Sequence, residues 1–189
     1  MKYITNIDNN FINSLGKTYK VILMDPPWSY NNRAKGSADK VYNTMSLDEL
    51  KNLNIDKLAD SDCVLFMWAT FPLIQEALDL IKSYGFIYKT GLSWHKKTRR
   101  GKDYFGNGFI FRSAAELLLV AYKGHPKPKN RHTRNSLEAV CMGHSIKPEK
   151  SYKLVTELFD GPYLELFSRL NRKDWDCVGN EIEEDMRLF

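Results

Sequence analysis

Cysteine is scarce in this sequence: Cys63, Cys141 and Cys177 lie far apart, without the CxxC or Cys/His spacing of a zinc site. A disulfide framework and a structural metal are therefore set aside, and buried free thiols are the expectation. His95, His125, His132 and His144 show no metal spacing either, so no metal site is expected. No stretch reaches the roughly 18 to 20 uncharged apolar residues that a membrane span needs. The opening "MKYITNIDNN" has no apolar signal core, which points to a soluble, cytoplasmic protein without a membrane partner. Repeats and low-complexity linkers are also missing. With 189 residues and 43% apolar composition, the chain can bury one sizeable core and is short for two, so residues 1–189 read as a single domain.

What charge there is sits unevenly. The net charge is only +5, yet between Trp94 and Asn135 eleven lysines and arginines face only Asp103 and Glu116, while the terminal "NEIEEDMRLF" is acidic. Tyr104, Phe105, Phe109 and Phe111 are interleaved with the basic residues. Aromatic side chains within a basic stretch favour a polyanion-binding surface over an ordinary solvated face, and nucleic acid is the expected partner.

Apolar periodicity alternates between strand and helix. "KYIT", "KVILMD", "CVLFMWAT", "FIYKTGLSWH", "YLELFS" and "WDCVGNE" read as strands, and "AELLLVAYKG" as a strand or buried segment. "SLDELKNLNIDKL" follows Ser46 with Glu49 at capping-box spacing, which predicts a helix starting there. "PLIQEALDLIKSYG" and "KPEKSYKLVTELFD" predict two more, one opened by Pro72 and closed by Gly85, the other following Pro148. The alternation predicts an α/β domain with a mostly parallel sheet. Ligands in such sheets sit beyond the carboxyl ends of the strands. Three irregular stretches, 29–44, 95–112 and 123–146, are expected to gather over that edge as a cleft.

Where "KVILM" ends, the chain reads "DPPW", residues 25–28. Each proline biases the residue before it toward extended geometry, so Asp25 is presented in one pose. Because Pro27 has no N–H, the Pro26 carbonyl is expected to stay free of local pairing. Two acceptors, the Asp25 carboxylate and that carbonyl, would then stand beside the face of Trp28. Such a pair suits a planar NH2 group: bonds to both N–H groups favour the pyramidal amine and return its lone pair to nitrogen, while an indole stacks on the base. The alternative is a plain turn beside a buried tryptophan.

"DPPW" behind an apolar strand resembles the catalytic motif of S-adenosylmethionine-dependent amino-methyltransferases. "YNTMS", "LFMWAT", "GLSWHK", "FRSAAELLLVAYKGHP", "HSIKPEKSY", "YLELFSR" and "WDCVGNEI" follow in the order found in the MT-A70 family of adenine-N6 methyltransferases, which acts on messenger RNA in eukaryotes and includes bacterial and phage DNA enzymes. The resemblance covers nearly the whole chain, with the catalytic motif early and the cofactor strand late, as in the beta-class permutation. It implies a Rossmann-like methyltransferase fold. It also implies that Asp25, Pro26, Pro27 and Trp28 are catalytic, with Asp25 and Pro27 also beside the cofactor. Phe167 would pack near S-adenosylmethionine, Arg169 and Asn171 would hold its ribose, Asn180 and Glu181 its ribose and adenine, and Asn6 and Ile7 its adenine. Asn6 replaces the family's usual acid, Glu181 its glutamine, and Ala115 a lysine assigned to the cofactor carboxylate; Lys96, Arg112 and Ser113 are the alternatives for that last contact.

The expected reaction is methyl transfer to N6 of adenine, with Trp28 and Tyr42 on the base and Lys96, Arg99, Arg100 and Arg112 toward the nucleic acid. DNA is favoured, because the compact layout, without an appended recognition domain, zinc finger or leading basic arm, resembles the bacterial and phage enzymes. The same reaction on RNA stays open, as does a non-catalytic nucleic-acid-binding subunit. A homodimer or partner subunit would supply a second wall to the cleft. Read without the family, Phe167, Trp68 and Trp94 suit a core, and Arg112 and Glu116 a local ion pair.

Overall fold

The computed structural model describes residues 7–29, 44–108, 110–143 and 146–179. Within these, seven strands form one sheet. They are β1 (Tyr19–Met24), β2 (Ala59–Ala69), β3 (Ile87–Lys97), β4 (Ala115–Lys123), β5 (Ser136–Val140), β6 (Tyr163–Leu166) and β7 (Trp175–Val178). The order across the sheet is β5-β3-β4-β2-β1-β6-β7. β1 is parallel to both of its neighbours, with Met24 opposite Met67 and Leu166, and only β4 runs antiparallel among these strands. The mostly parallel α/β sheet expected from the sequence is the observed fold.

Alternation along β1 explains the layering, because successive residues of a strand face opposite sides. Ile22 and Met24 join Leu50, Ala77, Leu80 and Ile81 on one side, under α1 (Asn9–Ser14), α2 (Leu47–Lys51) and α3 (Ile74–Ser83). Val21 and Leu23 join Trp68, Trp94, Val155 and Phe159 on the other, under α4 (Glu149–Leu158). A strand segment buried on both faces has no polar face to show, which is why "VILM", residues 21–24, is continuously apolar. None of the helices among the described residues is long and apolar enough to cross a membrane.

Three local expectations fail for identifiable reasons. The helix expected over "SLDELKNLNIDKL" starts at its capping box but ends at Lys51, followed by a separate 3-10 turn at Ile55–Leu58. The Asn9 side chain intervenes: its Nδ2 donates to the Asn52 carbonyl at 2.8 Å and its Oδ1 accepts from the Asn54 amide at 2.7 Å. β5 lies inside a stretch expected to be irregular. Its half-exposed position at the edge of the sheet leaves it without a continuous apolar run. The stretch 123–146 also does not begin over the expected edge. Antiparallel β4 carries the chain to the opposite edge, where Lys123 pairs with Cys63 and Lys129 Nζ donates to Thr156 O and Asp160 at the end of α4. The basic residues thus divide into one group at each edge of the sheet.

The links after β6 and after β7 cross where only glycine fits. A Cβ on Gly179 would lie 1.9 Å from the Ser168 carbonyl oxygen, and the Ser168 amide donates to Val178 O at 2.9 Å. Gly179→Ala is expected to lower unfolding free energy by about 1 to 3 kcal/mol, the range for overpacking. Chemical denaturation followed by circular dichroism checks this, and an unchanged midpoint would refute the crossing.

Candidate active site

Asp25 stands directly beyond β1, its amide still reaching Leu166 O at 3.4 Å. The turn that follows is pinned from both sides. Met45 N donates to Pro27 O at 2.8 Å and Ser29 N to Met45 O at 3.2 Å, just ahead of the Ser46 cap of α2. The Pro26 carbonyl is not left free: Trp28 N donates to it at 2.8 Å, closing a γ-type turn around Pro27. Proline at 27 removes one local donor, but the next amide takes the place, leaving only the carbonyl's second lone pair. Trp28 is 9% exposed and packs in the core, so it offers a sliver of ring instead of an open face. Its Nε1 is buried without a hydrogen-bond partner.

The dominant feature at Asp25 is a chain of alternating charges. Lys147 Nζ is 2.7 Å from Asp25 Oδ2 and 3.3 Å from Glu116 Oε2, and Lys96 Nζ is 2.5 Å from Glu116 Oε1. Lys147 comes from the approach to α4, Glu116 from the start of β4 and Lys96 from the end of β3, so three elements converge on the end of a fourth. The Lys147 ammonium lies 5.6 Å from the Trp68 ring centroid, and that of Lys96 lies 5.0 Å from Trp94 and 5.7 Å from Tyr104. Burial pushes the Asp25 carboxyl above the usual carboxylate range, against the opposing pull of Lys147. For Glu116 burial also raises, but the two ammonium groups outweigh it and hold the carboxyl low. Burial likewise works against charge on Lys147, yet the two carboxylates win and raise it.

Beside this chain opens a small, partly open pocket. Asp25, Lys147, Glu165, Phe167, Arg169 and Arg172 line it. Glu165 accepts from Tyr152 Oη at 2.6 Å, and burial raises its carboxyl despite that bond. Arg172 caps the Tyr152 ring at 3.3 Å and pairs with Glu149. Phe167 turns the chain at the pocket with φ of 61°, a left-handed conformation costly to a bulky residue and concentrated at functional sites.

Asp25, Phe167 and Arg169 are therefore gathered as the sequence suggested, while Ile7 is buried in the core and is not among the residues that line the pocket. Asn171 is exposed next to the pocket residues. Lys96 points inward, its side chain 12% exposed, whereas Arg99, Arg100 and Arg112 are exposed. Arg112 does not pair with Glu116 as a local ion pair; its guanidinium lies 5.0 Å from the Phe105 ring, and Glu116 serves the two lysines. Asn6, Tyr42, Phe109, Asn180 and Glu181 fall outside the described residues. Sequence reasoning missed Lys147, Glu116, Glu165 and Arg172. The available signal was charge at the boundaries of apolar segments: Lys147 between Ile146 and Pro148, Glu116 before "LLLVA", Glu165 inside "YLELF".

The topology, with one antiparallel strand set into a parallel sheet and an acid beyond a central strand, is that of an S-adenosylmethionine-dependent methyltransferase fold. Residues 19–181 match the MT-A70 family, and the chain belongs to it. The Type II methyltransferase M.MunI of a Mycoplasma species is 31% identical, over 96% of this chain and 85% of its own length. The human N(6)-adenosine-methyltransferase catalytic subunit METTL3 is 27% identical over 91% of this chain, and the human N(6)-adenine-specific methyltransferase METTL4 28% over 88%. The chain spans only 29% and 38% of those two human proteins.

Because Lys147 lowers the Asp25 carboxyl, Lys147→Met is expected to move its titration further up. Carbon-13 NMR of labelled aspartate reads this directly, and an Asp25 midpoint that stays put would show the pair to be uncoupled.

Proposed function

We propose that this protein transfers a methyl group from S-adenosylmethionine to the N6 amine of adenine in DNA. The observation that carries the reading is Asp25, held by Lys147 at the rim of a pocket of mixed charge. That mixture suits the methionine end of the cofactor, which combines a carboxylate with an ammonium and a sulfonium. Lys147, Arg169 and Arg172 match the carboxylate, and Asp25 and Glu165 match the cationic groups. Phe167 supplies apolar wall, while Arg169 and Asn171 are the candidates for the ribose, Asn180 and Glu181 for the ribose and adenine, and Asn6 and Ile7 for the adenine. When bound, the cofactor supplies an activated methyl group.

The acceptor side rests on Asp25. Its carboxylate accepts a hydrogen bond from N6–H, which favours localisation of the nitrogen lone pair, and the raised carboxyl is suited to take the proton that N6 sheds as the new N–C bond forms. Lys147 fixes the carboxylate's orientation from the opposite side. An adenine within a duplex cannot reach a carboxylate set this deep, so the base is flipped out or already unpaired. Trp28 and Tyr42 bound its place, and Arg99, Arg100 and Arg112 hold phosphates without reading sequence. DNA is favoured over RNA because the Type II methyltransferase is more similar to this chain than the adenosine methyltransferase subunit is, 31% against 27% identical.

Asp25→Ala is expected to lower the methylation rate by about 10² to 10⁴-fold. Transfer of labelled methyl groups to adenine measures it, and a wild-type rate in the variant would sink the mechanism. Wild-type protein offered DNA and RNA together is expected to label N6-methyladenine in DNA; label confined to RNA reverses the choice of substrate.

A further inference from the structure

Resting on that reading, we propose that the excursion between β3 and β4, residues 98–114, is a stacking platform for an unpaired nucleobase beside the target adenine, with Phe105 as its surface and Arg112 as its clamp. The excursion is built, not slack. Thr98 N donates to Lys102 O at 2.7 Å, Tyr104 N to Lys96 O at 3.0 Å and Gly106 N to Ser113 O at 3.0 Å. Lys97 Nζ bonds Asp103 at 2.7 Å. Gly108 has no room for a side chain, since a Cβ there would lie 1.9 Å from the Phe111 carbonyl oxygen.

This folded support turns Phe105, Ile110 and Phe111 outward. Phe105 is 75% exposed, Ile110 88% and Phe111 85%, although the hydrophobic effect favours tucking such groups in. Arg112 covers one face of the Phe105 ring at 5.0 Å, leaving a guanidinium poised for a phosphate next to an aromatic surface for a base. The platform's root touches the catalytic chain: the Tyr104 ring faces Lys96, which pairs with Glu116, which pairs with the lysine on Asp25. A base stacked there belongs to a nucleotide neighbouring the target.

Charge selects this occupant over a second copy of the chain. Arg99, Arg100, Lys102 and Arg112 are exposed on the excursion, while its one acid, Asp103, is engaged by Lys97 and His95. Two such surfaces brought together repel, whereas a single strand brings π-faces and phosphates to the same patch.

The test compares two fluorescent probes of equal length and charge, oligothymidylate and the same backbone with abasic residues, binding the full chain by anisotropy. The wild type is expected to bind the base-bearing probe about 5 to 100-fold more tightly, as one stacked base implies. Phe105→Ala is expected to abolish that ratio while keeping abasic binding, and Phe105→Trp to restore it. A ratio that persists in Phe105→Ala overturns the platform. Dimerisation by light scattering that Phe105→Ala abolishes, with no change in the ratio, assigns the patch to a second copy. The two readings fail separately: DNA methylation with an unchanged ratio defeats only the platform, whereas neither methylation nor binding of either probe defeats both.

Discussion

The ion pair between Asp25 and Lys147 is the constraint on which the site depends, because two charges withdrawn from water must be placed where each satisfies the other. Removing Lys147 would leave Asp25 without its opposing charge, whereas removing Asp25 would leave Lys147 paired with Glu116 alone. Glu116 and Lys96 extend the arrangement to two acids and two bases, and the rings of Trp68 and Trp94 add their faces to the ammonium groups. β1, β3, β4 and the start of α4 are thereby fixed to one another at a single point. The two carboxyls respond oppositely to acid. Asp25, held above its unfolded value, stabilises the fold below that value and loses the contribution as pH rises through its folded one. Glu116, held low, contributes above its unfolded value and loses this as pH falls through its folded one.

Much of this was legible in the sequence because the signal was local. A continuous apolar run stopped by Asp-Pro-Pro marks both a doubly buried strand and the turn that presents Asp25, and the capping box at Ser46 marks where α2 begins. The partner of Asp25 was not legible in the same way. Lys147 is distant in the chain and acquires its role only through the approach to α4, and nothing in "IKPEKSY" announces which carboxylate it meets. The Pro26 carbonyl shows the converse limit: the missing donor at Pro27 was read correctly, but the bond came from one residue further on. Asn9 likewise ends α2 from far upstream in sequence, a tertiary contact overriding a good helical pattern.

Charge read along a line also differs from charge placed in space. Eleven basic residues in one stretch suggested one surface, yet β4 separates them. Lys96 to Arg112 stay with the site, whereas Lys123 to Lys129 lie across the sheet, with Lys129 serving the end of α4. Reversal of one strand is enough to convert a continuous basic stretch into two unrelated groups.

That reversal has another effect. β3 and β4 are adjacent and antiparallel, with His95 opposite Ala115, so the excursion between them leaves and returns one strand spacing apart, about 5 Å. Lengthening a loop whose ends are already held together costs little, since closure entropy grows only slowly with length. The segment can therefore change in length and composition like a cassette, without moving the lysine and glutamate that anchor its feet.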